Sequence, residues 1–425
     1  MTDATPAPTP DSAPTTDPRA AGARLGAPLT LPSGAVLKNR IAKSAMSEAL
    51  AGRDLAPTVA HERVYGRWAR GGAGLLITGN VMVDAHALGE PGNVAVEDGR
   101  HAAALRRWAE AGTQGGAHLW MQLNHPGRQA PKSVMRTPAA PSAVPLGGSA
   151  GRFFGMPRAL ETQEVRGIVE RFAATAAHAR AAGFTGVQIH GAHGYLVNQF
   201  LSPEANRRTD RYGGDLEGRM RFLVEIYAAL REELGDGFPI GLKLNSSDFS
   251  EGGLTEEDSR RVAQRMGELG LDLLEVSGGS YTSPAMMGGN NDGGTYFERY
   301  ARRLRDVTDV PVMLTGGFRS AATMAAALAD GVTDIVGLAR PFVIEPELAA
   351  RAIAGQEIEV ELPRVRTGLA AVDSKLGPAL ALPWYELQLA RLGKGLEPQD
   401  RMSAVAPLVH MVRQHGPAAL SPRRG

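Results

Sequence analysis

The stretch that decides the fold is residues 311–340, PVMLTGGFRSAATMAAALADGVTDIVGLAR. It contains two short apolar runs, at 311–317 and 334–340, and both end in glycine or polar residues. Between them, residues 320–329 form an alanine-rich segment that begins with serine, a residue type favoured at helix N-termini. Runs with little polar alternation are typical of strands buried on both faces, as in parallel sheets. The stretch therefore predicts a strand–helix–strand unit with parallel strands.

The same unit repeats along the chain before this stretch. Six further apolar runs lie at 40–47, 74–83, 118–125, 186–193, 240–248 and 273–279. Helical segments are predicted between the runs at 58–70, 99–111, 162–182, 216–234 and 255–269. Strand and helix therefore alternate eight times, which predicts an α/β fold, the (β/α)8 TIM barrel. A doubly wound open sheet is the competing architecture, but it usually has fewer strands.

The two ends of the chain and one insertion depart from this alternation. We predict three regions: a disordered tail at 1–24, the barrel at 25–362 and a C-terminal helical extension at 363–425. Within the extension, segments 384–393 and 402–412 have helical patterns, and we expect them to pack on the barrel or on a partner subunit. A Pro/Gly/Ser-rich insertion at 129–159 follows the third strand, so we expect it at the catalytic face.

Composition excludes several classes of function. The 425 residues include 46 Lys and Arg against 45 Asp and Glu, so no strong field draws the chain to nucleic acid or to an anionic membrane. The absence of cysteine excludes disulfides, iron–sulfur clusters, thiolate zinc sites and cysteine nucleophiles. No apolar run approaches the roughly 20 residues of a membrane-spanning helix, and the N-terminus does not resemble a signal peptide. We therefore expect a cytoplasmic enzyme.

The ends of the seventh and eighth runs predict a phosphate site. Gly316 and Gly317 stand just before a helix, where backbone N–H groups can face an anion. Ala339 and Arg340 end the neighbouring run, and an arginine can bind phosphate with paired donors. Phosphate sites recur at this place in barrels.

Two histidines stand at the end of the fourth run, and their role has alternatives. His190 and His193 could hold a carbonyl oxygen with two N–H donors, or they could ligate a metal with His125 as a third ligand. An arginine at the last strand would oppose a cation electrostatically. A purely structural pair of hydrogen-bonded turn histidines is the remaining alternative.

Polar residues on the third and fifth runs point to a flavin. Lys243 in a barrel mouth needs an anionic partner, and a reduced isoalloxazine ring provides one near its N1–C2=O edge. Gln122 offers a donor and an acceptor together, which suits the pyrimidine edge of the same ring. Together with a phosphate site, these residues favour flavin mononucleotide (FMN).

Five motifs lie within about residues 29–354, nearly the whole barrel predicted above. The motifs are LKNRIAKSAMS at 37–47, GLLITGN at 74–80, QLNHPGR at 122–128, HGAHGYL at 190–196, and FLSP through NRRTDRYGG at 200–214. Together they resemble the Old Yellow Enzyme family of FMN-dependent NAD(P)H oxidoreductases, or ene-reductases. The part from 188 to 214 is the most specific.

The resemblance implies a mechanism and a set of site residues. NADH or NADPH would reduce a noncovalent FMN, and an enone, nitroalkene or quinone would then accept the hydride. His190 and His193 would bind the substrate oxygen, and Tyr195 would donate the proton. The residues implied for FMN are Ser44, Ala45, Met46 and Ser47 along the flavin, with Ser47 donating toward its O4/N5 edge, Asn80 and Gln122 at the ring, Lys243 near N1, and Gly316, Gly317, Ala339 and Arg340 at the phosphate. No metal-binding residue is implied.

Some positions depart from the family pattern. Ala45 stands where many relatives have proline, and Ser47 stands where threonine or cysteine is common. Ala49 stands where one branch of the family has a substrate-contacting tyrosine, and Gly218 stands where asparagine is usual. The lack of cysteine excludes the cluster-bearing dienoyl-CoA reductase type. A metal-dependent hydrolase using the three histidines and a non-catalytic flavin-binding protein remain as alternatives, and the substrate, the nicotinamide preference and any homo-oligomer stay open.

Overall fold

Eight parallel strands close into a barrel in the computed structural model, which describes residues 17–279, 297–363, 365, 370–399 and 404–415. The strands are β1 Ile41–Lys43, β2 Leu75–Met82, β3 His118–Asn124, β4 Gly186–Gly191, β5 Ile240–Asn245, β6 Leu273–Ser277, β7 Val312–Thr315 and β8 Ile335–Leu338. Each strand pairs with the next, and β8 pairs in parallel with β1, as Leu338 opposite Lys43 shows. The predicted (β/α)8 TIM barrel and all eight strands are confirmed.

Helices cover the barrel between successive strands. They are α1 Val59–Arg70, α2 Ala102–Gly112, α3 Thr162–Ala182, α4 Leu216–Leu234, α5 Glu256–Glu268, α6 Glu298–Leu304 and α7 Ala321–Ala329. Local sequence sets their ends: the side chains of Thr255 and Ser320 accept from backbone N–H groups in the first turns of α5 and α7. Gly183 ends α3 with a φ of 97°, a conformation that favours glycine.

Shorter elements complete the connections. The short helices are Leu196–Leu201, Arg340–Ile344 and Leu348–Ile353, the 3-10 turns are Gly99–His101, Gln114–Gly116, Gly127–Gln129 and Ser149–Phe153, and the short strands are Leu29–Thr30, Val36–Leu37, Val94–Ala95, Ala139–Ala140 and Arg158–Ala159. The last two strands pair within the 129–159 insertion. Gln129, at its beginning, bonds to the backbone of His193 just beyond β4, so this part of the insertion lies at the carboxyl end of the barrel.

The amino-terminal half of the barrel interior is apolar. Trp120 on β3 is fully buried there, together with Leu75, Leu273 and neighbouring residues. A glycine on β5, two strands away, makes room for the indole, because a Cβ at Gly241 would lie 2.8 Å from the Trp120 ring. This packing closes one end of the barrel and leaves polar side chains to the other end.

The predicted tail is wrong at its boundary. Pro18–Leu25 form a helix capped by Asp17, and Ala21, Gly22 and Leu25 are buried. Gly22 packs so closely that an added Cβ would lie 2.7 Å from the carbonyl oxygen of Ile353. Small and apolar residues three and four apart give this segment a face that packs on the barrel. Residues 1–16 lie outside the described residues.

Two helices lie in the described part of the C-terminal extension. The helix Ala370–Gly393, which we call the C-terminal helix, and the helix Val405–His415 pack against each other. The C-terminal helix also packs on α1 and on Arg340–Ile344, so the extension packs on its own barrel. Trp384 and Leu389 are buried in this contact.

Candidate functional site

A cavity of about 540 Å³ opens at the carboxyl ends of the strands. This volume falls within the range of roughly 300–1,000 Å³ that is usual for ligand pockets. All of the predicted site residues except Ser44 line it: Ala45, Met46, Ser47, Asn80, Gln122, His190, His193, Tyr195, Lys243, Gly316, Gly317, Ala339 and Arg340. The structure therefore brings these residues together around one cavity.

Ser44 supports the wall behind the cavity. Its side chain is buried, and its Oγ lies 2.8 Å from Oγ1 of Thr315 on β7. The two hydroxyls meet over Gly337 of β8, where an added Cβ would lie 2.6 Å from the Ser44 Oγ. The structure thus uses Ser44 to connect β1 with β7 and does not bring it to the cavity surface.

Strand register forms the floor of the cavity from two rows of polar residues. Asn80, Gln122 and Gln188 are register neighbours on β2, β3 and β4, and His190, Lys243 and Glu275 are register neighbours on β4, β5 and β6. Lys243 Nζ lies 2.9 Å from Glu275 Oε1.

Hydrogen bonds fix the orientation of the amides in this floor. Gln188 donates to Glu275 Oε2 at 2.8 Å, and Gln122 donates to Gln188 Oε1 at 2.7 Å. Sequence reasoning missed Glu275. Its signal in the sequence is that it is a single carboxylate within a strand whose residues are all buried. Burial of such a carboxylate requires a partner, and Lys243 provides it.

The two histidines lie side by side at the end of β4, with ring centroids 5.1 Å apart. His193 has a φ of 61°, which is uncommon for a residue with a side chain. Its backbone is held by Asn245 Oδ1, which accepts from the His193 N–H at 3.1 Å, and by Gln129, which donates to the His193 carbonyl at 2.9 Å. Strain of this kind, roughly 1–3 kcal/mol, is characteristic of functional sites.

Both imidazoles are neutral. Burial, His193 and Lys243 hold the pKa of His190 well below its ordinary value, and burial and Lys243 do the same to the pKa of His193. His190 Nδ1 accepts from the N–H of Ala192 at 3.3 Å, which leaves the ring proton on Nε2 as a donor. His193 Nε2 lies 2.6 Å from Ser277 Oγ.

The metal-site alternative lacks its third ligand. In the part of the chain that the structure describes, no three His, Asp or Glu side chains are grouped as a metal would require. His125 Nδ1 instead accepts from the N–H of Gly127 at 3.1 Å, and burial lowers the pKa of His125 to about 4.

Tyr195 completes this side of the cavity. Its ring centroid lies 4.8 Å from that of His190, and its side chain is mostly buried. It precedes the helix Leu196–Leu201, whose first turn fixes the backbone position. The phenol and the histidine pair therefore face the same cavity.

The predicted phosphate cradle lies between β7, β8 and the C-terminal helix. Gly316 and Gly317 have φ values of 109° and 91°, which turn the backbone sharply before α7. Arg340 makes no ion pair with any of the described carboxylates, so its guanidinium is available for an anion. Arg319 also lines the cavity and was missed, although it follows the two glycines closely. Burial raises the pKa of Tyr385, and the positive charges of Arg340 and Arg319 act in the opposite direction.

A buried acceptor at the cavity fits a flavin ring. Asn80 Oδ1 has no hydrogen-bond partner among the described residues, although it is shielded from solvent. Buried polar atoms are normally paired, so this oxygen requires a donor from a ligand. The ring N–H of a flavin is such a donor, and the residues present therefore fit FMN.

The C-terminal helix contributes a wall that sequence reasoning did not assign. Ala381, Leu382 and Tyr385 line the cavity. Glu386 on the same helix accepts from Ser47 Oγ at 2.9 Å, across 339 residues of sequence. Ser47 Oγ also lies 2.5 Å from Oε1 of Glu90, another cavity residue that was missed. No periodic pattern in the sequence indicates that Ser47 and Glu386, so far apart along the chain, are hydrogen-bond partners.

The site defines a class of protein: a barrel enzyme that holds a phosphorylated flavin at the carboxyl ends of its strands. Residues 24–359 match the NADH:flavin oxidoreductase / NADH oxidase family, and the chain belongs to that family. The Old Yellow Enzyme resemblance, FMN as cofactor and a reduced nicotinamide as hydride donor are thereby confirmed. In the described residues, no helix is both long and apolar enough to span a membrane.

Curated relatives agree with this family. The chain is 36% identical over 361 residues to the NADH-dependent flavin oxidoreductase iliE of Hypocrea jecorina (strain QM6a). The aligned region covers 78% of this chain and 89% of the relative. It is 35% identical over 333 residues to an NADH oxidase of Thermoanaerobacter brockii, covering 76% of this chain but only 50% of that longer protein.

Solved structures show the same architecture. The old yellow enzyme homologue of Zymomonas mobilis superposes with a TM-score of 0.69 at 26% identity, covering 80% of this chain and 94% of that one. Morphinone reductase in complex with tetrahydroNAD superposes with a TM-score of 0.68 at 29% identity, covering 80% and 93% of the two chains.

Proposed function

We propose that the protein is an ene-reductase, which uses NADH or NADPH to reduce the activated C=C bond of an enone, nitroalkene or quinone. The observation that carries this proposal is the pair of neutral imidazoles beside Tyr195 on the wall of a flavin-binding cavity. Solved neighbours named morphinone reductase and old yellow enzyme homologue support a reductase. A small-molecule substrate and a cytoplasmic location belong to the same proposal, and it leaves homo-oligomer formation open.

The cavity residues divide into three groups by what they would hold. Gly316, Gly317, Ala339 and Arg340 would hold the phosphate of FMN. Asn80, Gln122 and Lys243 would hold the ring, and Ala45, Met46 and Ser47 would line it, with Ser44 supporting them from behind. When bound, FMN supplies the hydride that it has accepted from the nicotinamide.

His190 and His193 would stabilise the transition state. As hydride reaches the β-carbon, negative charge develops on the activating oxygen of the substrate. His190 Nε2–H and an N–H of His193 donate to that oxygen, and these bonds strengthen as the charge grows. The imidazoles are neutral, so their function is to donate hydrogen bonds from fixed positions. His193 is fixed by Asn245, Gln129 and Ser277.

Tyr195 would complete the reaction by protonating the α-carbon. The phenol O–H bond breaks as the new C–H bond forms, which is general acid catalysis. The contact between the Tyr195 and His190 rings holds the phenol beside the oxygen-binding donors. Hydride and proton would thus be delivered within one cavity.

The proposal is tested by anaerobic turnover with a panel of enones, nitroalkenes and quinones, using the FMN-loaded protein and each nicotinamide in turn. We expect oxidation of the nicotinamide to match formation of the saturated product. A protein that binds FMN but transfers no hydride to any of these compounds would be a flavin-binding protein, and the proposal would then be wrong.

A further inference from the structure

A continuous chain of hydrogen bonds leads from the protein surface to the cavity wall. His410 Nε2 lies 3.1 Å from Glu386 Oε2, and Glu386 Oε1 lies 2.9 Å from Ser47 Oγ. Ser47 Oγ lies 2.5 Å from Oε1 of Glu90, which lines the cavity. The His410 side chain is 26% exposed, whereas Glu386 is only 3% exposed. The chain therefore connects solvent with the cavity through groups that can all carry a proton.

The charges around this chain require one proton on its carboxyl groups. Glu90 and Glu386 share the single hydroxyl of Ser47, and in the described structure neither carboxylate pairs with a lysine or an arginine. Like charges this close do not both ionise readily.

Apart from His410, which lies 3.1 Å from Glu386, the neighbouring groups do not relieve this repulsion. Glu48 adds a further negative charge, and its own cation partner is Lys43 at 3.1 Å. His61 is 4.0 Å from Glu48, but burial lowers the pKa of His61 to about 4 and keeps it neutral. Burial and Glu386 raise the pKa of Glu90 to about 8, although bonds from Ser47 and Asn93 oppose this. Burial and repulsion therefore favour one shared proton on the carboxyl groups of Glu90 and Glu386.

We propose that His410, Glu386, Ser47 and Glu90 form a proton relay that supplies the cavity with the proton consumed in each turnover. This inference rests on the proposed function, since reduction of a C=C bond takes up one hydride and one proton. Ala381, Leu382 and Tyr385 of the C-terminal helix line the cavity. A substrate lying under this helix would displace water from this side of the cavity, and protein groups would then supply the proton.

Each transfer in the relay breaks one bond to hydrogen and forms another. Tyr195 gives its proton to the α-carbon and becomes a phenolate, which takes the proton of the Glu90 carboxyl group across the cavity that both line. Gly89, next to Glu90, is close to the phenol: an added Cβ there would lie 3.7 Å from Tyr195 Cε1.

The remaining transfers restore Glu90. The His410 imidazolium first gives its proton to the Glu386 carboxylate, which passes it to the oxygen of Ser47 as Ser47 gives its own hydrogen to the Glu90 carboxylate. Water reprotonates His410. No electrons move in these steps, and the net uptake is one proton from solvent.

The surface end of the relay offers the cleanest variant. In His410→Ala, we expect multiple-turnover oxidation of NADH by an enone to slow about tenfold, because Tyr195 must be reprotonated before each further turnover. This loss is smaller than the roughly 10²–10⁴-fold effect of a group that gives its proton to the substrate directly. Added imidazole should restore the rate, because it replaces the missing side chain. Reduction of the flavin by NADH requires no proton from the relay and should be unchanged. His178→Ala, which removes a half-buried histidine from α3, is the matched control.

The interior of the relay is tested without flavin. Infrared spectra of the cofactor-free protein near neutral pH should contain the band of a protonated carboxyl group, which disappears in Glu90→Gln. Glu386→Gln should shift the titration of this band from about 8 to lower pH, because it removes the repelling charge. Both substitutions preserve side-chain shape.

The results separate the relay from the proposed function. A His410→Ala enzyme that behaves like His178→Ala would overturn the relay, and so would an ionised Glu90 near neutral pH. If the wild-type protein reduces no enone, the proposed function fails by itself. The infrared titration then decides whether the carboxyl pair shares a proton.

Discussion

Lys243 Nζ lies 2.9 Å from Glu275 Oε1, and strand register places the two residues directly beside each other on β5 and β6. The ammonium group at the cavity floor is therefore already compensated in the protein. A negative charge that develops on a flavin above it competes with Glu275 for the same cation.

This competition makes Glu275 a determinant of the flavin potential. We expect Glu275→Gln to raise the midpoint potential of the bound FMN, because the full charge of Lys243 then stabilises the anionic reduced ring. A spectroelectrochemical titration measures this shift, with Glu257→Gln on the exposed face of α5 as the control. An unchanged or lowered potential would contradict this prediction.

His190→Ala should separate ligand binding from flavin reduction. Loss of one hydrogen bond to a partly charged oxygen costs about 1.5–3 kcal/mol, which corresponds to roughly 10- to 100-fold weaker binding of a phenol or an enone. Reduction of FMN by NADH should change far less, because no negative charge develops in that step on an oxygen held by His190. Spectral titration and stopped-flow reduction measure the two quantities. Equal losses in both would argue against the assigned role.

Arg340→Ala should lose FMN. The variant removes the guanidinium that faces the cavity without a carboxylate partner among the described residues, and a two-donor contact with phosphate disappears. Arg340→Lys should retain an intermediate amount, since lysine keeps the charge but not the planar fork. The flavin-to-protein ratio after gel filtration measures the effect. Stoichiometric flavin in the alanine variant would contradict the phosphate assignment.

Glu90→Gln should stabilise the protein in a pH-dependent way. The pKa of Glu90 is raised in the fold from 4.5 to about 8, so the stability that the protonated form contributes is complete below pH 4.5 and is lost as the pH rises through 8. Glutamine does not ionise. The melting temperature of the variant minus that of the wild type should therefore increase over this interval and level off above it, whereas a constant difference would show that Glu90 titrates normally.

Sequence alone predicts those parts of the site whose positions follow from the topology of the barrel. Carboxyl ends of parallel strands meet at one rim, so His190, Lys243 and Arg340 could be placed together although they come from three separate runs. Their direct neighbours could not be derived in the same way. Glu275 became visible as the partner of Lys243 only when the register of β5 against β6 was known.

Contacts made by the ends of the chain were beyond prediction. The helix Pro18–Leu25 has too few residues to show a clear period, and its packing on Leu348–Ile353 depends on tertiary contact. The C-terminal helix was predicted as a helix, but its approach to Ser47 through Glu386 depends on how the extension packs on the barrel. The sequence prediction placed Ser44 at the cavity, because the sequence alone does not show on which of the two faces of the strand a side chain lies.

The central claim is that hydride passes from the nicotinamide through FMN to the β-carbon of a substrate held by His190 and His193. Turnover of an enone with NADH deuterated at its transferable position tests this most directly. We predict a saturated product with deuterium on the β-carbon and a solvent-derived hydrogen on the α-carbon. Oxidation of NADH with no deuterium in any organic product would contradict the account.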